Sequence, residues 1–120
     1  MKTILVVEDD KNQRLLYQQE LSLEGYNVIA VSDGQDAIDK VNEQLPDLII
    51  MDIHLVKMSG IDTMNRILGK HKKIPIIINT AYSSYKDNFL SWSADAYIVK
   101  SSDLTELKSK VQELVGKTDG

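Results

Sequence analysis

Short apolar runs alternate with amphipathic stretches along the whole chain. Ile4-Leu5-Val6-Val7 is an unbroken apolar run stopped by Glu8-Asp9-Asp10, the pattern of a strand buried on both faces. Residues 11–24 read as a helix, with Leu15, Leu16, Leu21 and Leu23 expected on its inner side and Gly25 as its stop. Residues 28–31 form a second strand, and Ser32-Asp33-Gly34 opens a second helix. Its apolar stripe is Ala37, Ile38, Val41 and Leu45, spaced by three or four. Pro46-Asp47 ends that helix, and residues 48–52 make the third strand. After a loop to Gly60, a short helix is expected over 61–68. Residues 75–79 form the fourth strand, with Pro75 placed first, where a missing donor does least harm. A weakly amphipathic helix is expected over 84–92 and a fifth strand over 96–99. Leu104, Leu107, Val111 and Leu114 mark a last helix that begins at a Ser102 or Asp103 cap.

This is (βα) five times over. Strands and helices alternating at these lengths predict a parallel sheet covered on both faces. Right-handed crossovers favour a flavodoxin-like, doubly wound order, 2-1-3-4-5, with a crevice at the carboxyl ends of strands one and three.

At 120 residues the chain is expected to be one domain, 1–120, frayed over its last few positions. A formal charge of -4 argues against nucleic acid as a direct partner, because phosphate backbones attract basic surfaces. There is no cysteine, which excludes disulfides, thiolate metal sites and a cysteine nucleophile. The longest apolar runs are far too short to span a bilayer, and nothing before Ile4 looks like an export leader, so a cytoplasmic location is expected.

The predicted strand ends concentrate chemistry. Strand one ends in Glu8 and Asp9, strand three in Asp52, strand four at Asn79-Thr80 and strand five at Lys100. In the predicted order, three carboxylates, a hydroxyl and an ammonium meet at one edge of the sheet. Carboxylates packed together repel, and their uncompensated burial costs several kcal/mol. A hard divalent cation such as Mg²⁺ resolves this, binding through carboxylate and phosphate oxygens. Lys100 and Thr80 suit phosphoryl oxygens, one as a positive charge and one as a donor. Phosphoryl transfer needs mainly such positioning and charge neutralisation.

The ordered set Ile-Leu-Val-Val-Glu8-Asp9-Asp10, Asp47-Leu-Ile-Ile-Met-Asp52 with Gly60 eight residues on, Thr80-Ala81, and Tyr97-Ile-Val-Lys100 resembles the receiver domains of two-component response regulators. The resemblance covers nearly the whole chain. It implies that Asp52 accepts a phosphoryl group from a sensor histidine kinase or phosphotransfer protein. It further implies that Asp9 binds Mg²⁺ directly, that Glu8 acts more often through a water, and that the backbone carbonyl of His54 is another ligand. By the same resemblance Thr80 and Tyr97 are switch residues and Lys100 pairs with the phosphoaspartate. The implied protein is a signalling switch rather than an enzyme with a turnover substrate. It would be a stand-alone receiver or part of a longer regulator, meeting its target through the fourth helix, fifth strand and fifth helix.

Three positions depart from the family's pattern: Val56 and Ser101 stand where proline is usual, and Ser93 where glycine is. A cis bond without proline costs roughly 3–4 kcal/mol, so Lys100–Ser101 is expected to be trans. Simpler roles compete at several residues. Asp10 fits a helix N-terminal carboxylate, Trp92 fits a core residue, Tyr97 fits sheet packing as well as a switch, and His71-Lys72-Lys73 fits a solvated turn. His54 and Tyr82, two residues past Asp52 and Thr80, are expected to hinder water and slow loss of the phosphoryl group. Other chemistries match less well. A haloacid-dehalogenase-type phosphatase carries Asp-x-Asp on its first strand, a mononucleotide binder needs a Gly-rich cradle, and a phosphate-independent receiver would signal by contacts alone.

Overall fold

A computed structural model describes residues 1–55, 57–81 and 94–118. Five strands, β1 (Thr3–Val7), β2 (Asn27–Val31), β3 (Leu48–Met51), β4 (Ile76–Thr80) and β5 (Ala96–Val99), form one parallel sheet of order β2-β1-β3-β4-β5. The described helices are α1 (Lys11–Leu23), α2 (Gly34–Glu43), α3 (Gly60–Lys70) and α4 (Thr105–Thr118). The last is the fifth in the sequence expectation, because the helix expected over 84–92 lies outside the described residues, as do Val56, Tyr82, Trp92 and Ser93.

Alternation along the strands splits the core in two. Leu5, Val7, Ile49, Met51, Ile76, Ile78 and Tyr97 face α2 and α3, where Ala37, Val41, Met64 and Ile67 cover them. Ile4, Val6, Leu48, Ile50, Ile77, Ala96 and Ile98 face the other way, against Tyr17 and Leu21 of α1 and Leu107, Val111, Leu114 and Val115 of α4. Both faces of β1, β3 and β4 are buried, which is why those strands read as continuous apolar runs.

Three expectations need correcting. Leu15, Leu16 and Leu23 do not line the inner side of α1 but are exposed; the buried residues are Tyr17 and Leu21. The four leucines never shared a face, since positions 15, 16, 21 and 23 are not spaced by three and four, whereas 17 and 21 are. Leu45 is exposed because α2 ends at Glu43 and the backbone is already extended at Gln44. Pro75 precedes β4 instead of opening it, although its carbonyl accepts from the Ile49 amide at 3.0 Å.

The helix starts are built locally. Asp10, Asp33 and Ser59 each cap a helix by accepting from amides of its first turn. Asp103 accepts from the Thr105 amide at 2.9 Å and from its hydroxyl at 2.6 Å, where α4 begins. Gly25 closes α1 at φ 96, a conformation that L side chains rarely adopt.

Candidate functional site

The ladder runs one residue past three strands, so side-chain alternation continues there. The Glu8 amide donates to Val31 O (3.0 Å), Asp52 to Val7 O (3.2 Å) and Lys100 to Thr80 O (2.7 Å). Glu8, Asp52 and Lys100 therefore extend the face that carries Val6, Ile50 and Ile98, on the α1–α4 side. Lys100 Nζ lies 2.6 Å from Glu8 Oε1 and 2.8 Å from Asp52 Oδ2. The carboxylate oxygens of Glu8, Asp9 and Asp52 come within 4.8 Å of one another. The predicted acids and the predicted ammonium thus share one edge, at the carboxyl ends of β1, β3 and β5.

The electrostatics follow from burial. Glu8 is only 2% exposed, and desolvation lifts its pKa above the ordinary carboxylate value. The Lys100 ammonium and the Asp10 amide oppose that rise, and the Asp52 charge adds to it. Burial by itself would lower the Lys100 pKa, but its bonds and attraction to Asp52 and Glu8 prevail and raise it. Among the described residues, three carboxylates face the Lys100 ammonium, so a cluster with all four groups ionised would be short of positive charge. Clustered oxygen donors with a charge deficit fit a hard divalent cation, with Glu8, Asp9 and Asp52 able to hold it.

The other expected residues fall as follows. Thr80 is fully buried at the end of β4, and Tyr97 is buried on the α2–α3 face. The His54 amide donates to Asp52 Oδ1 at 3.3 Å, while its side chain is exposed. Asp10 is a helix cap, accepting from the amides of Asn12 at 2.9 Å and Gln13 at 3.1 Å. The Lys100–Ser101 bond is trans, and Lys100 reaches the acids without a proline after it.

Sequence reasoning missed two contributors. Arg14 donates to the carbonyls of Glu8 (2.9 Å) and Asp9 (3.4 Å), bracing the turn that carries both acids. A cation one turn into a helix after an acidic run could have signalled this. Gly60 approaches the acceptor's backbone so closely that a Cβ there would fall on the Asp52 carbonyl oxygen, and its amide donates to Ile53 O at 2.7 Å. Its spacing from Asp52 was noted, but its physical cause is this contact.

Residues 4–112 match the family described as the response regulator receiver domain. The chain belongs to that family. The receiver is 38% identical over 117 residues to the response regulator ArlR of Staphylococcus aureus, covering 96% of this chain and 53% of that protein. It therefore spans about half the length of the curated relatives it matches. The response regulator TrrA of Thermotoga maritima, solved in complex with Mg(2+)-BeF, superposes with a TM-score of 0.90 at 43% identity, covering 95% of this chain and 99% of that one. TrrA in complex with the histidine kinase ThkA superposes with a TM-score of 0.88, also at 43% identity, covering 95% and 98%. The receiver is thus a two-component signalling domain. Among the described residues, no helix is long and apolar enough to cross a membrane.

Proposed function

We propose that Asp52 accepts a phosphoryl group from a sensor histidine kinase or phosphotransfer protein and holds it as an acyl phosphate. The observation that carries this is Asp52, a residue only 7% exposed, whose carboxylate is paired with Lys100 and clustered with those of Glu8 and Asp9. A carboxylate oxygen of Asp52 forms the new bond to phosphorus. The phosphorus–nitrogen bond of the donor phosphohistidine breaks, and its electron pair stays on the imidazole. Glu8, Asp9, Asp52 and the His54 carbonyl would hold Mg²⁺, which supplies charge neutralisation for the carboxylates and phosphoryl oxygens. Lys100 pairs with the arriving negative charge, and Thr80 offers its hydroxyl. The Mg(2+)-BeF complex of TrrA and the TrrA–ThkA complex support both the cation and the kinase.

Phosphorylation adds about -1.5 to -2 charges at pH 7. Thr80 and Tyr97 respond to them, and β5 and α4 shift toward a state that binds a target protein. Residues 1–120 act as one domain, in the cytoplasm, without direct contact to nucleic acid or membrane, either alone or within a longer regulator. The test is intact-mass measurement after incubation with acetyl phosphate and Mg²⁺. The wild type should gain one phosphoryl group and Asp52→Ala none. Equal labelling of both would refute Asp52 as the acceptor.

A further inference from the structure

Glu8, Asp9 and Asp10 are the whole connection between β1 and α1. Glu8 is held by the sheet, its amide donating to Val31 O at 3.0 Å. Its carboxylate adds two more bonds, taking the Lys100 ammonium on one oxygen and the Asp10 amide, at 3.1 Å, on the other. Asp52 is held by its own amide bond to Val7 O and by Lys100. Asp9 shares none of this. It is exposed, and among the described residues its amide and carboxylate form no hydrogen bond or ion pair. Of the three acids whose oxygens meet within 4.8 Å, the exposed one has the least to fix it.

Arg14 supplies the missing hold. Its Nη1 donates to the carbonyl of Glu8 at 2.9 Å and to that of Asp9 at 3.4 Å. Those carbonyls belong to the two planar peptide units that flank the Asp9 Cα. Rotations of these units are the only soft backbone freedoms of Asp9, so pinning both carbonyls to one nitrogen restricts its φ and ψ together. The direction of its Cβ is restricted with them. The guanidinium has no competing task, since among the described residues Arg14 forms no ion pair and the first turn of α1 carries no acidic residue. Nor does the helix dipole reward a cation at this end. We propose that Arg14 is a positioning residue for the divalent cation: it holds the backbone of Asp9 so that this carboxylate stays beside Asp52 before the cation arrives. The entropy of ordering Asp9 is then not lost at the moment of binding. This rests on the reading that Glu8, Asp9 and Asp52 hold Mg²⁺. It also fixes a sign that charge alone reverses. A guanidinium beside a cation site repels the cation, so removing a mere charge tightens binding, whereas removing a clamp loosens it.

The test is calorimetric titration of Mg²⁺ into the unphosphorylated wild type, Arg14→Met and Arg14→Lys, each well below its melting midpoint. Arg14→Met should raise the Mg²⁺ Kd by about five- to tenfold, the effect of one ordinary hydrogen bond. Arg14→Lys keeps the charge and the stem but lacks the planar fork, and its Kd should fall between the other two. A methionine variant that binds more tightly shows an ordinary repelling charge and overturns the proposal. One that is less stable but binds equally well shows a merely structural arginine and overturns it too. A lysine variant equal to wild type overturns the two-carbonyl clamp. Without any cation, the ¹⁵N order parameter of the Asp9 amide should fall in Arg14→Met, and an unchanged value also overturns the proposal. A wild type that takes up no Mg²⁺ refutes the cation reading and this proposal with it, whereas normal uptake beside an unaffected variant refutes the proposal alone.

Discussion

Gly60 and Gly69 lie in the same helix, and alanine should move stability in opposite directions at the two sites. At Gly60 a Cβ would fall on the Asp52 carbonyl oxygen and crowd the Asp52 carbonyl carbon (2.8 Å) and Ile53 Cα (2.9 Å). The obstacles are backbone atoms, so no side-chain rotation relieves the clash. Overpacking costs typically about 1–3 kcal/mol, and a backbone obstacle places this site near 3. Alanine's helix propensity returns at most about 1 kcal/mol. The clash wins by about 2 kcal/mol, or roughly 8 °C in Tm for a chain of this length. At Gly69 nothing lies within 4 Å of a built Cβ, and only the propensity term remains. Gly69→Ala should gain about 0.5–1 kcal/mol, less if the helix end frays. Urea unfolding of both variants and wild type at one pH measures this. A Gly60→Ala protein as stable as wild type would refute the close approach. Because the displaced backbone belongs to Asp52, the same variant should also be phosphorylated more slowly, while Gly69→Ala should match wild type.

Other perturbations reach the site separately. Lys100→Met leaves the buried carboxylates of Glu8 and Asp52 without their cation. It should cost about 3 kcal/mol in unfolding experiments, the low end for breaking a buried pair because the lysine side chain is 16% exposed. Added Mg²⁺ should recover more stability in this variant than in wild type; equal recovery would argue against a shared cation site. Burial raises the Tyr17 pKa above its usual 10.0. The associated stability is complete below that value and lost as pH rises through the higher folded-state value. Urea midpoints should therefore fall above about pH 10, and less steeply in Tyr17→Phe than in wild type; identical slopes would show that Tyr17 does not contribute. His54→Ala/Tyr82→Ala should lose its phosphoryl group faster than wild type once the donor is removed, and unchanged or slower decay would exclude the shielding role.

Several features were legible because they depend on local physics. Two-sided burial makes a parallel strand apolar throughout, so Ile4–Val7 and the run before Asp52 announced themselves, and with them the sheet order and the position of the acids. Asp10 showed its cap through its place before a helix. The inner stripe of α1 was misread because leucine content was weighed above spacing: Tyr17 looks amphipathic in isolation, and only packing shows it fully buried.

What the chain alone determined is the set of strand-end groups, Glu8, Asp9, Asp52, Thr80 and Lys100, since alternation and strand length are properties of neighbouring residues. Tertiary structure decided which of them touch. Lys100 meets Asp52 across 48 positions of sequence, and Lys108 meets Glu20 across 88. Register and side-chain reach set those contacts, as the approach of Gly60 to Asp52 sets that glycine. No pattern confined to one segment encodes a distance between segments.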